Sequence, residues 1–501
     1  MKIKLKILAL AACALIALCF AASCGESGEP GASPGNGGEI PAGIPESGEP
    51  DETPTEAPFP EPEVPEKDYG GINFNVLYPA WGPWNEVNYA FPETLTGDVM
   101  NDAIINRNKK IEDRLNIKFN SIRIEGRDEI KEILPAIRRS VQAGDQAYDL
   151  AFIHPMCDLN TFAAEGLVRN WNKVPYVDLT KPYWNQSLND TLAVKGILLF
   201  AGNDFIIPSA HTIFFNKEIH KNHSLEDPYE LVKSGKWTWD KLTEMAKQVS
   251  KPNDAGEYDL NALYGFTGIM DGPMIGIMHA CNQYIVRRDE DDYPHLDLMN
   301  DKLISIVDKI YDLIYNGNQT YVWNWGDPPE REMDFTRNRV LFQISSPGGA
   351  AENYRAMEVD FGILPFPKYD EAQKDYISLN TAGLMLIPMD VKDVEMAGIV
   401  TELMAAESRR MTIPIYFDVL LNSKVTRDVE SEEMLDIIFN GTVYDFGYNY
   451  NGFTNVSYIV PRLMAQKSTN VASFYEANRD WTEKNMAKVY EDILKYLERD
   501  Y

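Results

Sequence analysis

The sequence predicts an α/β protein with two lobes. From Ile72 to Ile153, stretches that alternate apolar and polar residues with a period of two are interleaved with stretches whose apolar residues recur at helical spacing. The chain beyond Glu66 is too long for a single hydrophobic core, and it contains no second linker rich in proline and glycine. We therefore expect two lobes that are joined by short, ordered crossovers.

The first part of this body has the clearest pattern. Ile72–Tyr78 and Ile117–Ile124 are predicted strands, and the apolar run Tyr148–Ile153 is typical of an interior parallel strand. The intervening helices have apolar faces, formed by Met100, Ala103, Ile104, Ile111 and Leu115 in one and by Ile130, Ile133, Leu134, Ile137 and Val141 in the other. This order predicts an open sheet whose ligand-facing loops follow the carboxyl ends of the strands.

The rest of the body repeats this alternation. Thr238 is the predicted N-cap of a helix whose apolar face contains Leu242, Met245, Ala246 and Val249. The last hundred residues or so are predicted to be mainly helical. Further strands are expected at Ile197–Phe200, His211–Phe215, Arg339–Ile344, Asp360–Leu364 and Leu384–Ile387.

The amino terminus has the features of an export signal. Three lysines precede an apolar run, Ile7–Ala22, that is too short to be a stable membrane span. The following residues, Ala21–Gly25, resemble the lipobox of bacterial lipoproteins, in which a cysteine after small residues receives lipid. We expect residues 1–23 to be a signal peptide and Cys24 to be the lipidated first residue of the mature protein. The alternative is an ordinary secretory signal that is cleaved near Ser23.

Residues 24–66 are predicted to be a disordered tether. From Gly25 to Glu66 there are ten prolines, eight glycines and eleven acidic residues, and no lysine or arginine. Residues 67–501 contain 44 basic and 65 acidic residues, a net charge that opposes binding to nucleic acid and to anionic lipid headgroups. The membrane contact that we expect is therefore the lipid alone.

Two cysteines remain in the body after the signal and Cys24 are set aside. Cys157 and Cys281 are too few for a zinc site, and we expect no metal or cofactor. They are predicted to be buried free thiols, with a single disulfide as the alternative.

The order of several short motifs resembles the extracellular solute-binding proteins of ABC importers, family 1, which are related to maltose-binding protein. Each motif is weak alone, and Asn338 or Arg339 stands where the family usually has glycine. The matching segments are the "YDL" strand Tyr148–Ile153, the "YNK" crossover Ile207–Lys217, the helix start Trp237–Leu242, and the segments Phe335–Phe342 and Asp360–Pro367.

This resemblance implies a type II periplasmic-binding-protein fold, with a ligand cleft and three interlobe crossovers. Mapped onto this chain, the crossovers fall near Asn203–His211, Trp325–Asp334 and Ser378–Leu386. The N-terminal lobe would then comprise residues 67–205 and 330–382, and the C-terminal lobe residues 206–329 and 383–501.

The resemblance also implies a function. The chain would be the lipid-anchored, extracytoplasmic solute-binding component of an ABC importer, would act as a monomer, and would deliver a carbohydrate to the permease subunits in the membrane. A binder of peptides or amino acids is the main alternative. A cell-surface glycosidase would need a pair of carboxylates, and no motif identifies one; no other catalytic motif is present. A structural adhesin is a third alternative.

A sugar cleft needs aromatic rings to stack on the sugar and polar side chains to bind its hydroxyls. For many of these positions a purely structural role in packing, capping or the hinge is the alternative. The loops and predicted crossovers supply these candidates: Trp81, Trp84, His154, Asn203, Asp204, His211, Trp323, Trp325, Ser346, Gly348, Asn380 and Tyr448.

Overall fold

The expected alternation of strands and helices is present in the computed structural model. It describes residues 59–80, 91–125, 130–269, 272–323, 335–354, 357–422, 429–450 and 455–499. Phe59–Tyr501 forms one compact unit. The strands are β1 (Ile72–Ala80), β2 (Ile117–Glu125), β3 (Leu150–Ile153), β4 (Thr212–Asn216), β5 (Tyr264–Ile269), β6 (Val286–Arg288), β7 (Pro294–Leu296), β8 (Thr320–Trp323), β9 (Val340–Ser345), β10 (Phe361–Leu364), β11 (Ser378–Leu379), β12 (Leu384–Leu386) and β13 (Thr442–Val443).

Helices flank these strands along the chain. They are α1 (Val99–Leu115), α2 (Ile130–Ala143), α3 (Leu159–Glu165), α4 (Gln186–Leu192), α5 (Lys217–Asn222), α6 (Pro228–Lys233), α7 (Trp239–Val249), α8 (Gly272–Ala280), α9 (Asp301–Tyr315), α10 (Pro347–Asn353), α11 (Val394–Glu407), α12 (Ile413–Asn422), α13 (Val429–Asn440), α14 (Phe446–Asn449), α15 (Ile459–Ala465) and α16 (Val471–Leu494). A single π-helical turn, Ser408–Thr412, joins α11 to α12.

The first lobe is built on a four-stranded sheet with the order β12-β3-β1-β2. β1 pairs in parallel with β2 and β3, and β12 runs antiparallel to β3. Helix α1 covers this sheet with the predicted apolar face, which is buried. The Asp98 side chain accepts the N–H groups of Met100 and Asn101 and so caps the start of α1.

The second lobe is built on a five-stranded sheet with the order β10-β4-β9-β5-β8. β5, β8 and β9 are parallel, whereas β4 runs antiparallel to both β9 and β10. Helix α7 begins as predicted, because the Thr238 hydroxyl accepts the Lys241 N–H at 3.2 Å. Its apolar residues pack under the sheet beside the buried Trp237 and Trp239 rings.

The expected division into lobes is wrong for three strands. Strands β9 and β10 were expected in the N-terminal lobe, but they pair with β4 and β5 of the second sheet. Strand β12 was expected in the C-terminal lobe, but it pairs with β3 of the first sheet. An apolar strand has the same local sequence pattern in either sheet. The sheet that it joins is determined by its pairing with a strand that is distant in the sequence.

The crossovers follow from these pairings. The first is residues 202–211, as predicted, because Ala201 bridges to β12 and Thr212 begins β4. The segment 365–383 leads from β10 back to β12 and contains the start of the predicted Ser378–Leu386 crossover. The expected crossover at Trp325–Asp334 lies outside the described residues, and the strands on either side of it, β8 and β9, belong to the same sheet.

The remaining crossing between lobes is helical. Helix α11 packs against α1 of the first lobe, and α13 packs against β10 of the second. The chain reaches α13 through the π turn and α12. The C-terminal helix α16 contacts α3 of the first lobe and α9 of the second, so the last hundred residues do not belong to one lobe alone.

Residues 59–66, which we call the strap, correct the prediction of a tether extending to Glu66. They lie against the first lobe with Pro62 buried and the Phe59 ring stacked on Tyr183, their centroids 6.1 Å apart. The average composition of residues 24–66 does not reveal this segment, because its ordering depends on contacts that one aromatic ring and a few carboxylates make with particular side chains of the first lobe. Residues 24–58 lie outside the described part of the chain.

Three smaller expectations can also be compared with the structure. Ile197–Phe200 is not a strand; it is a buried bend in which Ile197 bridges to Val194. Cys157 and Cys281 are free and buried, as expected, and burial raises the pKa of each thiol to about 12. No helix in the described part of the chain combines the length and the apolar character of a membrane span.

A buried carboxylate ties α11 to the segment 178–184. Glu402 accepts hydrogen bonds from the Tyr183 hydroxyl at 2.6 Å, the Trp184 indole N–H at 2.8 Å and the Asp178 N–H at 3.2 Å. Burial raises the pKa of Glu402 above its usual range, although the three donors oppose this shift. These hydrogen bonds fix the position of a segment that leads towards the first crossover.

We expect Glu402→Ala to lower the free energy of unfolding by about 3 kcal/mol, because two buried donors and one partly buried donor lose their acceptor. Urea unfolding measures this loss. Glu395→Ala is the matched control in the same helix; its carboxylate is partly exposed and pairs with Lys67, so its loss should cost less than about 1 kcal/mol. Equal losses in the two variants would contradict this account of Glu402.

Candidate functional site

Most of the predicted site residues that the structure describes gather where the two sheets face the crossovers. β3 ends at Ile153, opposite Leu384 of β12, which places His154 beside the segment that enters β12. The parallel strands β5, β8 and β9 end together at Ile269, Trp323 and Ser345. In α/β proteins this edge is where ligands usually bind.

The first two crossovers are hydrogen-bonded to each other. Ala210 bridges to Asn380, and the Thr381 N–H donates to the Ser209 carbonyl oxygen at 3.1 Å. The Asn380 side-chain oxygen accepts the N–H groups of Ser209 at 3.1 Å and Ala382 at 2.8 Å. Asn380 therefore holds the two segments together, which is the structural alternative to a ligand contact.

Tyr444 joins a third segment to this pair. Its hydroxyl oxygen accepts N–H groups from the side chains of Asn380 at 3.0 Å and Asn185 at 2.5 Å. Burial raises the pKa of Tyr444 to about 12, so the hydroxyl is neutral at physiological pH. The Tyr444 hydroxyl thus links the second crossover and Asn185 to the chain that follows β13.

Asn203 and Asp204 begin the first crossover. Asn203 is buried, and its side-chain oxygen accepts the Phe205 N–H at 3.0 Å. Asp204 pairs with Arg409 of the π turn at 2.8 Å. Burial raises the pKa of Asp204 to about 6, and the nearby guanidinium only partly offsets this effect.

His211 ends the first crossover and, unlike Asn203 and Asp204, has a side-chain atom without a hydrogen-bond partner in the part of the chain that the structure describes. The ring is half-buried, and its Nδ1 has no hydrogen-bond partner anywhere in the described residues. Burial lowers the pKa of His211 to about 4, so the imidazole is neutral at physiological pH. A buried polar atom without a partner is costly, and at this edge a solute hydroxyl or a water molecule would satisfy it.

Ser346 is adjacent to His211 in register, because Thr212 pairs with Ser345. The Ser346 hydroxyl caps α10 by accepting the Gly349 N–H at 3.2 Å, and Gly348 is buried in the first turn of that helix. Trp323 ends β8 with only 8 % of its surface exposed. Trp323 therefore packs against the core and presents little ring surface.

Two further candidates have structural roles in this arrangement. His154 caps the short helical turn Pro155–Cys157, since its Nδ1 accepts the Met156 N–H at 3.2 Å. The aromatic run Tyr444–Tyr450 is buried, and Tyr448 is 4 % exposed. The packing alternative describes Tyr448 better than a stacking platform does.

Four predicted residues lie outside the described part of the chain: Cys24, Trp81, Trp84 and Trp325. A cavity of about 580 Å³ in the second lobe contains none of the predicted site residues. It is lined by Tyr369, Gln373, Lys302, Asp301 and neighbouring side chains.

The sequence reasoning missed two residues of this region, Arg409 and Tyr444. Arg409 belongs to an Arg-Arg pair between two apolar helical stretches, which was a usable signal for a buried or paired cation. Its partner Asp204 is 205 positions away in the chain, and no local pattern identifies it. Tyr444 belongs to the aromatic run Tyr444–Tyr450, from which Tyr448 is the predicted site residue.

No protein-family model matches the chain, and no curated protein matches it. Solved structures are similar at low sequence identity. An ABC substrate-binding protein of Listeria monocytogenes, in complex with cycloalternan, aligns with a TM-score of 0.54 and 12% identity over 86% of this chain and 100% of its own. A solute-binding protein of Thermotoga lettingae bound to α-D-tagatose aligns with a TM-score of 0.52 and 17% identity over 84% of this chain and 100% of its own.

A third similar structure is the galacto-N-biose/lacto-N-biose I-binding protein of an ABC transporter from Bifidobacterium longum, in complex with lacto-N-biose. It aligns with a TM-score of 0.54 and 12% identity over 82% of this chain and 98% of its own. These alignments confirm the predicted fold class, a two-lobed α/β fold like that of ABC solute-binding proteins.

The raised pKa of Asp204 predicts a pH dependence of stability. The folded state holds this proton more tightly than the unfolded state does, so protonation of Asp204 adds stability as the pH falls through about 6. We expect the free energy of unfolding of the native chain, relative to Asp204→Asn, to rise by about 1 kcal/mol between pH 7 and pH 5.

Urea unfolding at the two pH values measures this difference. Asp178→Asn is the matched control, because hydrogen bonding from Thr180 lowers the pKa of Asp178 below its ordinary value, so that its carboxylate stays ionised at both pH values. This variant should therefore have the same pH dependence as the native chain between pH 7 and pH 5. An equal change of pH dependence in the two variants would show that Asp204 is not held as described.

Proposed function

We propose that the chain is the solute-binding component of an ABC import system and that it binds a carbohydrate between its two lobes. The observation that carries this proposal is the unpartnered Nδ1 of His211, at the end of the first crossover in a two-lobed α/β fold. Lobes of this kind close on a ligand by movement about such crossovers.

The chemistry of this edge favours a neutral, hydroxylated solute. His211 is neutral at physiological pH, and Ser346 beside it is half-buried. Asp204 of the first crossover pairs with Arg409 of the π turn. Arg410, the other charged side chain of that turn, pairs with Glu61 and Glu407. A peptide or amino acid would need unpaired charges for its termini, whereas a sugar needs neutral donors and acceptors. The sugars in the similar structures support the same choice.

The amino-terminal features complete the proposal. Lipid on Cys24 would hold the chain at the outer face of the cell membrane, where a captured solute can be passed to the permease. The segment from Gly25 to Pro58 would act as a flexible spacer of the kind that proline- and glycine-rich sequences form. We propose a monomeric, non-enzymatic carrier without a cofactor.

Carbohydrates should stabilise the protein in a thermal-shift screen of mono- and oligosaccharides, because a ligand that binds only the folded state raises the melting temperature. Di- and tripeptides form the comparison panel. If peptides raise the melting temperature and carbohydrates do not, the carbohydrate proposal is wrong.

In the same screen, His211→Ala should weaken the affinity for the stabilising sugar by roughly threefold to tenfold, the loss of one hydrogen bond. His295→Ala is the matched control, because His295 is exposed on the β6–β7 hairpin and pairs with Asp289 at 2.8 Å. Isothermal titration calorimetry measures both affinities, and an unchanged affinity in His211→Ala would exclude the histidine from the site.

Cys24→Ala should release the protein into the medium or the periplasm, because the acceptor of the lipid is lost. Cys19→Ala is the matched control within the signal and should leave the protein in the membrane fraction. Fractionation and immunoblotting measure both, and the released protein should bind its solute normally. Retention of Cys24→Ala in the membrane would contradict the anchor.

A further inference from the structure

The strap, residues 59–66, binds the first lobe through one aromatic ring and three carboxylates. The Phe59 ring stacks on the Tyr183 ring at an interplanar angle of 21°. The Arg410 guanidinium also lies over the Phe59 ring, 4.2 Å from its centroid. Such contacts combine apolar burial with a cation–π interaction. Phe59 is therefore held between the segment 178–184 and the π turn.

The carboxylates of the strap meet basic side chains from three places in the first lobe. Glu61 pairs with Arg410, which lowers the pKa of Glu61. Glu63 pairs with Lys181 at 3.3 Å, and Glu66 pairs with Arg114 at 3.1 Å. Exposed ion pairs are individually weak, so we attribute the docking mainly to Phe59 and the buried Pro62, with the charges fixing the register.

The two segments that receive the strap also hold the first crossover. Arg409, next to Arg410, donates to the Pro182 carbonyl oxygen and to the Asp204 carboxylate, both at 2.8 Å. The Asp204 N–H donates to the Tyr183 carbonyl oxygen at 3.0 Å. The strap and the crossover are thus separated by a single layer of residues.

The π turn makes a second connection to the crossover. The Ser408 hydroxyl lies 3.2 Å from a guanidinium nitrogen of Arg107, and this guanidinium lies 4.0 Å from the centroid of the Phe205 ring. A π turn inside a long helix is rare and often marks a functional position. Here it lies between α11 and α12, in the helical connection from one lobe to the other.

We propose that the strap is a brace for the hinge. When it is docked, it holds the segment 178–184 and the π turn in the arrangement that fixes Asp204 and Phe205. When it is released, both supports of the first crossover loosen and the lobes reorient more freely. The effect on solute affinity rests on the function proposed above; the effect on the crossover does not.

The proposed coupling also connects the segment before the strap to the hinge. Since the strap directly follows Pro58, a force or contact on that preceding segment acts first on Phe59 and Glu61. Release of the strap would then favour an open arrangement of the lobes and lower the affinity for solute.

Amide hydrogen exchange on the full chain without solute tests the brace. We expect the double variant Phe59→Ala/Glu61→Ala to speed exchange across residues 203–206 by about fivefold, the factor expected when an aromatic pair and its stacked cation are lost. Lys67→Ala is the matched control, because the contacts that it removes, with the Glu395 carboxylate and the Tyr69 ring, both lie beyond the strap. It should leave this exchange unchanged.

Arg410→Gln removes the contacts of the guanidinium with Phe59 and Glu61 from the receiving side, together with the ion pair to Glu407, and should speed the same exchange. Exchange at residues 203–206 that stays at the native rate in both variants overturns the brace. Affinity for the sugar found by thermal shift is then measured in the same proteins, and it should fall in both variants but not in Lys67→Ala. If no sugar binds the native chain, the proposed function fails, while the exchange result still decides the brace.

Discussion

The hydrogen-bonded pairing of the first two crossovers organises the whole molecule. Ser209 and Ala210 run beside Asn380 and Thr381, and Tyr444 bonds to the Asn380 side chain from a third segment. Each sheet is continuous within its own lobe, so this pairing is a main point at which backbone from both lobes meets. Backbone groups withdrawn from water need hydrogen-bond partners, and the Asn380 side chain accepts one partly buried N–H from each segment.

The first crossover also places two unusual titratable groups close together in sequence. Burial raises the pKa of Asp204 to about 6 and lowers the pKa of His211 to about 4. As the pH falls below 6.5, the contribution of His211 to the free energy of unfolding decreases, because the unfolded state takes up a proton at this histidine before the folded state does. The contribution of Asp204 increases, because the folded state takes up a proton at this carboxylate before the unfolded state does. The two effects oppose each other, so under mildly acidic conditions the gain at Asp204 offsets part of the loss at His211.

The strap extends this arrangement to the surface of the first lobe. Glu402 fixes the segment 178–184 from the inside, and Phe59 contacts it from the outside. Arg409 and Arg410, neighbours in the π turn, point their charges to different partners, Asp204 in the crossover and Glu61 in the strap. A short run of residues in an interlobe helix therefore connects a surface contact with the hinge.

The sequence alone determined the features that depend on local pattern. The apolar face of α1, the Thr238 cap of α7 and the first crossover follow from spacing, capping chemistry and motif order, and each is present. The alternation of strands and helices predicted the α/β class, and the length of the chain beyond Glu66 predicted two lobes. The export signal and Cys24 are also local features, and their interpretation stays a prediction.

Only the tertiary structure decided which sheet each later strand joins, because β9, β10 and β12 have no local mark of their partner. It also separated the site candidates by role. Asn203, Asn380 and Tyr448 look suitable in sequence, yet burial and hydrogen bonding assign them to the hinge and core, while His211 keeps an unpartnered nitrogen. Whether a polar side chain is satisfied depends on residues far away in the chain, and sequence spacing does not contain that information.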